Sequence, residues 1–175
     1  SFILKKLDVE ENSILTYDFS KAIYFYSANE KFGGFSNFAA FGIDINGQYY
    51  STIEHYFQSE KFINPQYSER IRNAKTPKEA SDLGKSREFK IRDDWDNVKD
   101  GIMFKGLIKK FDTHQQLKDM LIFTGNSLLV ENSPYDRYWG IGKNGDGYNK
   151  LGVFLMRIRE MARKSISIEK ISSTD

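Results

Sequence analysis

The chain has 175 residues, of which 39% are hydrophobic and 29% charged, with a formal net charge of +2 at pH 7. It contains no cysteine and two histidines, which excludes disulfides, thiolate nucleophiles and cysteine-based metal sites and argues against a multi-histidine metal site. No apolar run approaches the roughly 20 residues of a membrane-spanning helix, and no signal peptide is recognisable, so we expect a cytoplasmic protein without a membrane partner.

The chain is long enough for one domain with a substantial core. We expect a loosely attached lead-in over residues 1–20, a single domain over residues 21–163 and a frayed tail over residues 164–175. The tail is rich in serine and lysine, which is typical of a chain end without a packed face. Within the domain, Ala22–Ser27 is rich in β-forming residues and predicts the first strand.

A hairpin and a helix are predicted next. The runs 43–45 and 48–50 flank Asn46-Gly47, which favours a type I′ turn because both turn positions need positive φ. Ser51 or Thr52 then caps a helix that runs to about Phe62.

Capping signals predict most of the remaining elements. Thr76-Pro77-Lys78-Glu79 is a capping box with proline at the first helical position, and Gly84 ends the helix that it opens. The elements that follow are a helix from Asp93 or Asp94 to about Phe111, a helix from Thr113 closed by Gly125, a strand over 128–130, a glycine-rich loop over 134–148 and a helix from about Lys150 to Arg163. The sum is a compact α+β fold with more helix than strand.

The first candidate site lies on the helix that follows the hairpin. At 100° per residue, Glu54, Gln58 and Lys61 fall on one face, which therefore carries a carboxylate, an amide and an amine. The alternative is a solvent-exposed polar face with no chemistry. His55, on the same helix, is more typical of a structural histidine than of a catalyst.

The second candidate site is the loop around Trp139, which leads through Gly140 and Gly142 to Asn149 at a helix start. Glycines let backbone approach a ligand closely, and a helix N-terminus offers N–H groups to phosphate. The spacing matches neither a P-loop nor an EF-hand, and no long strand precedes the loop as a dinucleotide fingerprint requires. A flexible surface loop is the alternative.

Charged residues around the next helix allow two interpretations. The aspartates that follow Arg92 suit a helix N-terminus electrostatically, so capping explains them, and Trp95 fits a core position by spacing alone. Lysines crowd the helix itself and predict either a basic surface or, more simply, a solvated helix face; they are Lys99, Lys105, Lys109 and Lys110.

Several blocks together resemble the YbiA-like, or NADAR, family, in the right order and over most of the chain, from about Tyr24 to Arg159. The blocks are Gly-Phe-Ser-Asn-Phe at 34–38, Glu-His-Tyr-Phe-Gln at 54–58 with Lys61-Phe62, Arg92-x-x-Trp95, Lys110-Phe111, Thr124-Gly125, Leu129-Val130-Glu131, Asp136-x-x-Trp139-Gly140-x-Gly142, and Asn149-x-Leu151-Gly152 with Leu155-Met156.

The resemblance implies a compact, mostly helical α+β domain that acts as an N-glycosidase. Some members of the family hydrolyse the ribosyl–nitrogen bond of early riboflavin-pathway intermediates that carry ribose 5-phosphate, and others remove ADP-ribose from guanine bases. It therefore implies as substrate an ADP-ribosylated guanine in DNA or a nucleotide, with functional pairing to an ADP-ribosyltransferase, or else a phosphoribosyl small molecule. No cofactor and no metal are implied. A non-catalytic ADP-ribose-binding module is the third alternative.

The resemblance also gives the candidate residues roles. Glu54, Lys61 and Asp136 are the expected catalytic residues, with Lys61 either a Schiff-base nucleophile or an electrostatic contact. The expected substrate-binding residues are Phe35, Ser36, Asn37, Phe38, Gln58, Arg92, Trp95, Trp139, Gly140, Gly142 and Asn149.

Overall fold

The structure, a computed structural model, describes residues 18–172, without the side chains of Phe19 and residues 166–172. Most of the predicted lead-in thus lies outside the described residues. In chain order the elements are β1 (Asp18–Phe25), a 3₁₀ turn (Gly33–Phe35), β2 (Ile43–Ile45), β3 (Gln48–Tyr50), α1 (Ile53–Ser59), α2 (Pro65–Arg72), α3 (Pro77–Lys85), α4 (Trp95–Thr113), α5 (Gln115–Phe123), β4 (Ser127–Glu131) and α6 (Lys150–Ser172). The predicted α+β class, with more helix than strand, is confirmed.

The described residues form two compact units, and each is treated by itself. One unit is Asn37–Gln115, and the other combines the residues up to Ser36 with those from Gln116 onward. No helix of the described residues is long and apolar enough to cross a membrane.

The unit Asn37–Gln115 is built around α1, which packs against α2, α3 and α4. The hairpin of β2 and β3 is confirmed: Asn46 and Gly47 have φ of 54° and 78°, as a type I′ turn requires. Thr52 caps α1 by accepting a hydrogen bond from the His55 N–H at 3.2 Å. The helix ends at Ser59, earlier than the predicted Phe62.

Two helices of this unit depart from the sequence predictions. Helix α2 was not predicted, although Asn64 caps it by accepting from the Tyr67 N–H at 2.9 Å and Pro65 occupies its first position. In α4 the expected solvated lysine face is wrong for Lys110, which is 0% exposed. The Lys110 amine lies 5.9 Å from the centroid of the Phe41 ring and 5.9 Å from that of Phe111, so two aromatic rings lie close to this buried cation.

In the second unit, β1 and β4 pair in parallel, with Ile23 opposite Leu129 and Phe25 opposite Glu131. Strand β1 begins at Asp18, before the predicted start at Ala22, because Asp18 already pairs with Ser127 of β4. Helix α6 packs against β4 and continues past the predicted end at Arg163. Its predicted buried stripe is confirmed for Leu151, Leu155, Ile158 and Ala162.

Candidate active site

Glu54 is the buried carboxylate of the candidate site. It lies in the first turn of α1 and is 7% exposed. Its backbone N–H donates to the Asn37 carbonyl at 3.1 Å, and the Gln58 side chain donates to its Oε1 at 2.8 Å. The solvent-exposed alternative for this face is therefore wrong for Glu54. A hydrogen bond from an amide to a carboxylate is charge-assisted and fixes the direction of the carboxylate.

Lys61 lies just beyond the end of α1, on the same side as Glu54, and is partly buried. Its Nζ donates to the Gly84 carbonyl at the end of α3 at 2.9 Å. Burial is the largest cause that lowers the pKa of this amine, and the nearby positive charge of Arg87 adds to it, while the negative charge of Glu54 acts in the opposite direction. The amine thus loses its proton more readily than an ordinary lysine does.

Two amide oxygens in this unit are buried without a hydrogen-bond partner among the described residues. They are Oδ1 of Asn37 and Oε1 of Gln58. Buried acceptors of this kind call for a donor from a ligand or a water molecule. The hydroxyl groups of a ribose and the N–H groups of a base are donors of this kind, and the substrate-binding role of both residues stays a prediction.

Gly84 allows Gln58 to occupy its position. A Cβ added to Gly84 would lie 2.0 Å from Oε1 of Gln58 and 2.4 Å from its Cδ. A side chain at this position would collide with the Gln58 amide, so the absence of one at Gly84 is what lets Gln58 take this conformation.

Trp95 and Arg92, two predicted substrate-binding residues, lie at or just before the start of α4. The Trp95 ring, partly buried at the start of α4, lies 4.9 Å from that of Phe57 at an interplanar angle of 52°. The Arg92 backbone N–H donates to the Lys61 carbonyl at 3.0 Å. The Arg92 guanidinium pairs with Asp94, with Nε 2.6 Å from Oδ1, so contact with substrate would compete with this ion pair.

Phe38 and His55 differ in their suitability for contact with a ligand. Phe38 is 40% exposed, which suits the predicted stacking role. His55 is 1% exposed, with Nδ1 2.8 Å from the Thr52 hydroxyl and Nε2 3.0 Å from the Ala74 carbonyl. Since a carbonyl only accepts, Nε2 carries the proton and Nδ1 accepts from Thr52. His55 is structural, as its sequence context indicated.

The other unit holds the loop around Asp136 and Trp139. Oδ1 of Asp136 accepts from the backbone N–H groups of Tyr138 and Trp139, each at 2.8 Å. The Trp139 ring lies 6.0 Å from the Phe154 ring. The carboxylate therefore shapes this loop, and its predicted catalytic role stays a prediction.

Asn149 and the glycines of this loop bind other parts of their own unit. The Asn149 amide donates to the Leu129 carbonyl and accepts from the Glu131 N–H, both at 2.9 Å, and the Asn149 backbone N–H donates to the Gly140 carbonyl at 3.1 Å. Gly142 has a φ of 69°, which favours glycine. Phosphate would therefore have to displace these bonds to reach the N–H groups near Asn149, and that predicted contact stays a prediction.

Phe35 is a core residue, which corrects its predicted place in the substrate site. It is 0% exposed, and its ring lies 5.7 Å from each of the Phe25 and Phe32 rings. Its neighbour Ser36 is 5% exposed. A phenylalanine enclosed in this way has no face left for a ligand, and only its place in a conspicuous motif had suggested one.

Arg87 and Gly84 are the residues that the sequence did not single out for the site. Nη1 of Arg87 donates to the carbonyls of Lys85 at 2.8 Å, Ser86 at 3.0 Å and Gly84 at 3.4 Å. Lys61 and Arg87 thus share the Gly84 carbonyl. A basic residue just after a helix was a visible C-terminal signal, but its closeness to Lys61 depends on how α3 packs against α1.

Comparison with known proteins agrees with the resemblance seen in the sequence. The model of the NADAR domain family matches residues 24–163. The N-glycosidase Npun_R5314 of Nostoc punctiforme is 44% identical over 152 residues, which cover 85% of this chain and 97% of that protein. The N-glycosidase YbiA of Escherichia coli is 42% identical over 148 residues, which cover 85% of this chain and 90% of YbiA.

A solved structure and a plant protein are also similar to this chain. The NMR structure of the Escherichia coli protein YbiA superimposes with a TM-score of 0.76 at 39% identity, covering 90% of this chain and 92% of that one. The chloroplastic riboflavin biosynthesis protein PYRR of Zea mays is 41% identical over 152 residues, which cover 78% of this chain but 24% of that longer protein.

Proposed function

This chain belongs to the NADAR domain family, and we propose that it is an N-glycosidase that hydrolyses the bond between ribose C1 and a base nitrogen. The observation that carries the proposal is a buried carboxylate, Glu54, whose charge acts on a nearby lysine, Lys61, with a lowered pKa. Glu54 is held by Gln58, and Lys61 is held by the Gly84 carbonyl beside it. The names of two relatives, both N-glycosidases, support the same activity.

The chemistry follows from the charge that develops during cleavage. As the C1–N bond breaks, positive charge builds up on the sugar, and a nearby carboxylate stabilises it. Glu54 supplies such a carboxylate, and it can also activate the water that completes the hydrolysis. Phe38 and Trp95 offer surfaces on which a base can stack.

Lys61 can take part in either of two ways. In the covalent route its neutral amine attacks C1, the C1–N bond breaks, and the electron pair leaves with the base, which takes up a proton. Opening of the sugar ring then gives an imine between C1 and Lys61; water adds to C1 and releases the free sugar and the amine. In the electrostatic route the protonated amine contacts the substrate and water attacks C1 directly.

The first substrate that we propose is ADP-ribosylated guanine in DNA or a nucleotide, with an ADP-ribosyltransferase as the partner activity. The second is a phosphoribosyl intermediate of riboflavin synthesis, and the name of the maize relative favours it. Both substrates join ribose C1 to a nitrogen and carry a phosphoryl group on the same sugar, so the same pair of residues, Glu54 and Lys61, serves either.

The test is to incubate the protein with each substrate in parallel and to follow release of the base by chromatography. We expect release from one substrate by the wild type and none by Glu54→Gln, since the amide lacks the charge that stabilises the sugar cation. Glu30→Gln, the same change at an exposed position, is the control and should retain full activity. Binding of ADP-ribose without turnover of either substrate would instead identify a binding module.

Borohydride added during turnover distinguishes the two routes. Reduction of the imine leaves a stable adduct on Lys61 that mass spectrometry detects, and Lys61→Arg should abolish it. Turnover without an adduct would exclude the covalent route and leave the glycosidase proposal intact.

A further inference from the structure

We propose that Arg87 is the anchor for the phosphoryl group on C5 of the ribose whose C1–N bond is cleaved, and that it forms a subsite beside Lys61 at the end of α3. This inference rests on the proposed function and deepens it. It assigns a residue outside every block of the family resemblance to substrate binding. The ligand is a sugar phosphate or a diphosphate ester, and in the diphosphate Arg87 binds the phosphoryl group attached to C5 of the ribose that is cleaved.

The position of Arg87 is fixed by the end of α3. Its Nη1 donates to the carbonyls of Gly84, Lys85 and Ser86, which are left without intrahelical partners there. The two hydrogens of Nη1 are shared among these three carbonyls, which orients the guanidinium at the end of α3 before any ligand arrives. A group that is ordered in advance loses less conformational entropy on binding.

The edge of the Arg87 guanidinium that carries Nε and Nη2 has the geometry that binds a phosphate group. Within the described part of the chain, Nε and Nη2 make no hydrogen bond, and Arg87 itself is exposed. Nε–H and Nη2–H are parallel donors on one edge of the guanidinium, the arrangement that binds two oxygens of a phosphate together. Nη1 alone caps the helix, so capping and ligand binding do not compete.

Lys61 lies beside Arg87, because both side chains donate to one carbonyl. Its Nζ and the Arg87 Nη1 donate to the same carbonyl oxygen, that of Gly84, so the two groups lie next to each other. In a ribose 5-phosphate unit, C1 and the phosphoryl group are separated by a single ring. A phosphoryl group on Arg87 therefore keeps C1 close to the amine of Lys61.

The charge around this place favours an anion. Lys85 and Lys99 add positive charge near Lys61, and among the side chains that the structure describes no carboxylate forms a salt bridge with Lys61 or Arg87. Glu54 is the negative group whose charge reaches Lys61. Positive groups brought together in this way repel one another, and a bound anion relieves that repulsion and is attracted by the local potential.

The simpler explanation, that Arg87 only caps α3, makes a different prediction. A cation at a helix C-terminus stabilises the helix, so a pure cap would change stability and leave ligand affinity as it was. The two explanations therefore separate when affinity is measured independently of stability.

The experiment is a calorimetric titration of the intact protein with ribose 5-phosphate and with ribose, which needs no turnover. We expect the wild type to prefer ribose 5-phosphate, and Arg87→Gln to lose about tenfold to a hundredfold of that affinity. Arg70→Gln is the matched control, because Arg70 is exposed and already pairs with Glu88 at 3.8 Å. Its affinity should equal that of the wild type.

Two results would overturn the subsite. One is equal affinity of the wild type and Arg87→Gln for ribose 5-phosphate, and the other is no preference of the wild type for ribose 5-phosphate over ribose. If Arg87→Gln does not fold, Arg87→Lys replaces it, because lysine keeps the charge without the parallel donors. We expect Arg87→Lys to bind ribose 5-phosphate with intermediate affinity. An affinity of Arg87→Lys equal to that of the wild type would count against the proposal. A protein that binds ribose 5-phosphate through Arg87 yet releases no base would refute the glycosidase and retain the subsite.

Turnover measures a separate consequence of the Arg87 charge, its action on Lys61, which does not depend on whether Arg87 binds phosphate. The groups that set the pKa of Lys61 besides burial are Arg87, Glu54, Lys99 and Lys85. Removing the Arg87 charge lets the pKa of Lys61 rise. If the neutral amine of Lys61 is the nucleophile, kcat/KM rises with pH as Lys61 loses its proton, and in Arg87→Gln this rise should occur at higher pH. A rise at the same pH as in the wild type would show that Arg87 does not act on Lys61.

Discussion

Gly84→Ala should damage activity far more than stability. The new Cβ would lie 2.0 Å from Oε1 of Gln58, 2.4 Å from its Cδ and 2.9 Å from its Cγ. Each of these atoms belongs to a flexible side chain, so Gln58 can swing away without a shift of the backbone. The displaced amide then no longer donates to Glu54, which loses the bond that directs its carboxylate.

The two effects can be estimated separately. Replacing a helical glycine by alanine stabilises the helix by about 1 kcal/mol, and this gain offsets part of the lost hydrogen bond, so the free energy of unfolding should change by less than about 2 kcal/mol. A hydrogen bond to a charged group contributes about 1.5–3 kcal/mol. If that bond acts in the transition state, its loss lowers kcat/KM about 10- to 150-fold.

The assay compares four variants by steady-state kinetics of base release and by urea unfolding. Gly101→Ala is the control, since a Cβ at this exposed position of α4 meets nothing within 4 Å. It should gain stability and keep full activity. Gln58→Ala should reproduce the kinetic loss of Gly84→Ala, and the double variant should lose no more than either single one, because both remove the same bond. Wild-type kcat/KM in a folded Gly84→Ala would refute the reasoning.

Two further predictions concern Lys110 and Asp136. Burial lowers the pKa of Lys110 to about 7 from the ordinary 10.5. Between these two values the unfolded chain binds a proton that the folded one has released, so the urea-unfolding free energy should rise from about pH 7 towards pH 10.5. Lys110→Met should flatten that rise and the exposed control Lys109→Met should not; an equal rise in Lys110→Met would contradict the burial. Asp136→Asn should keep its stability, because an amide oxygen can accept the same two loop hydrogen bonds, and it should lower kcat if the charge is catalytic. An unchanged kcat would restrict Asp136 to shaping the loop.

The features predicted correctly from the sequence depend on a few neighbouring residues. The turn at Asn46-Gly47 and the caps at Thr52 and Thr76 were predicted because residue type, positive φ and the first unsatisfied N–H groups are local properties. Helix α2 carried the same signal in Asn64-Pro65 as α3 does in Thr76-Pro77. It was missed although nothing but its own sequence was needed.

The features that the sequence did not reveal depend on packing between elements. Lys110 is spaced like the other lysines of α4, and its burial depends on how residues distant in sequence, such as Phe41, pack over it. Gly84 looked like a helix end, and its closeness to Gln58 follows from the approach of α3 to α1. Helical periodicity, by contrast, placed Glu54 and Lys61 on one face because both belong to one short segment, and the resemblance to the family supplied their expected catalytic roles.

The end of α3 explains how Lys61 can be held in place and still have a lowered pKa. A carboxylate partner would also hold the amine, but it would stabilise the charged form and raise the pKa. The Gly84 carbonyl is neutral and carries only the partial charge of a helix C-terminus. It therefore positions the amine while burial and Arg87 still favour loss of the proton. A nucleophilic lysine has to be held in place and to have a lowered pKa. In this unit the Gly84 carbonyl at the end of α3 holds the amine of Lys61 in place and leaves its pKa lowered.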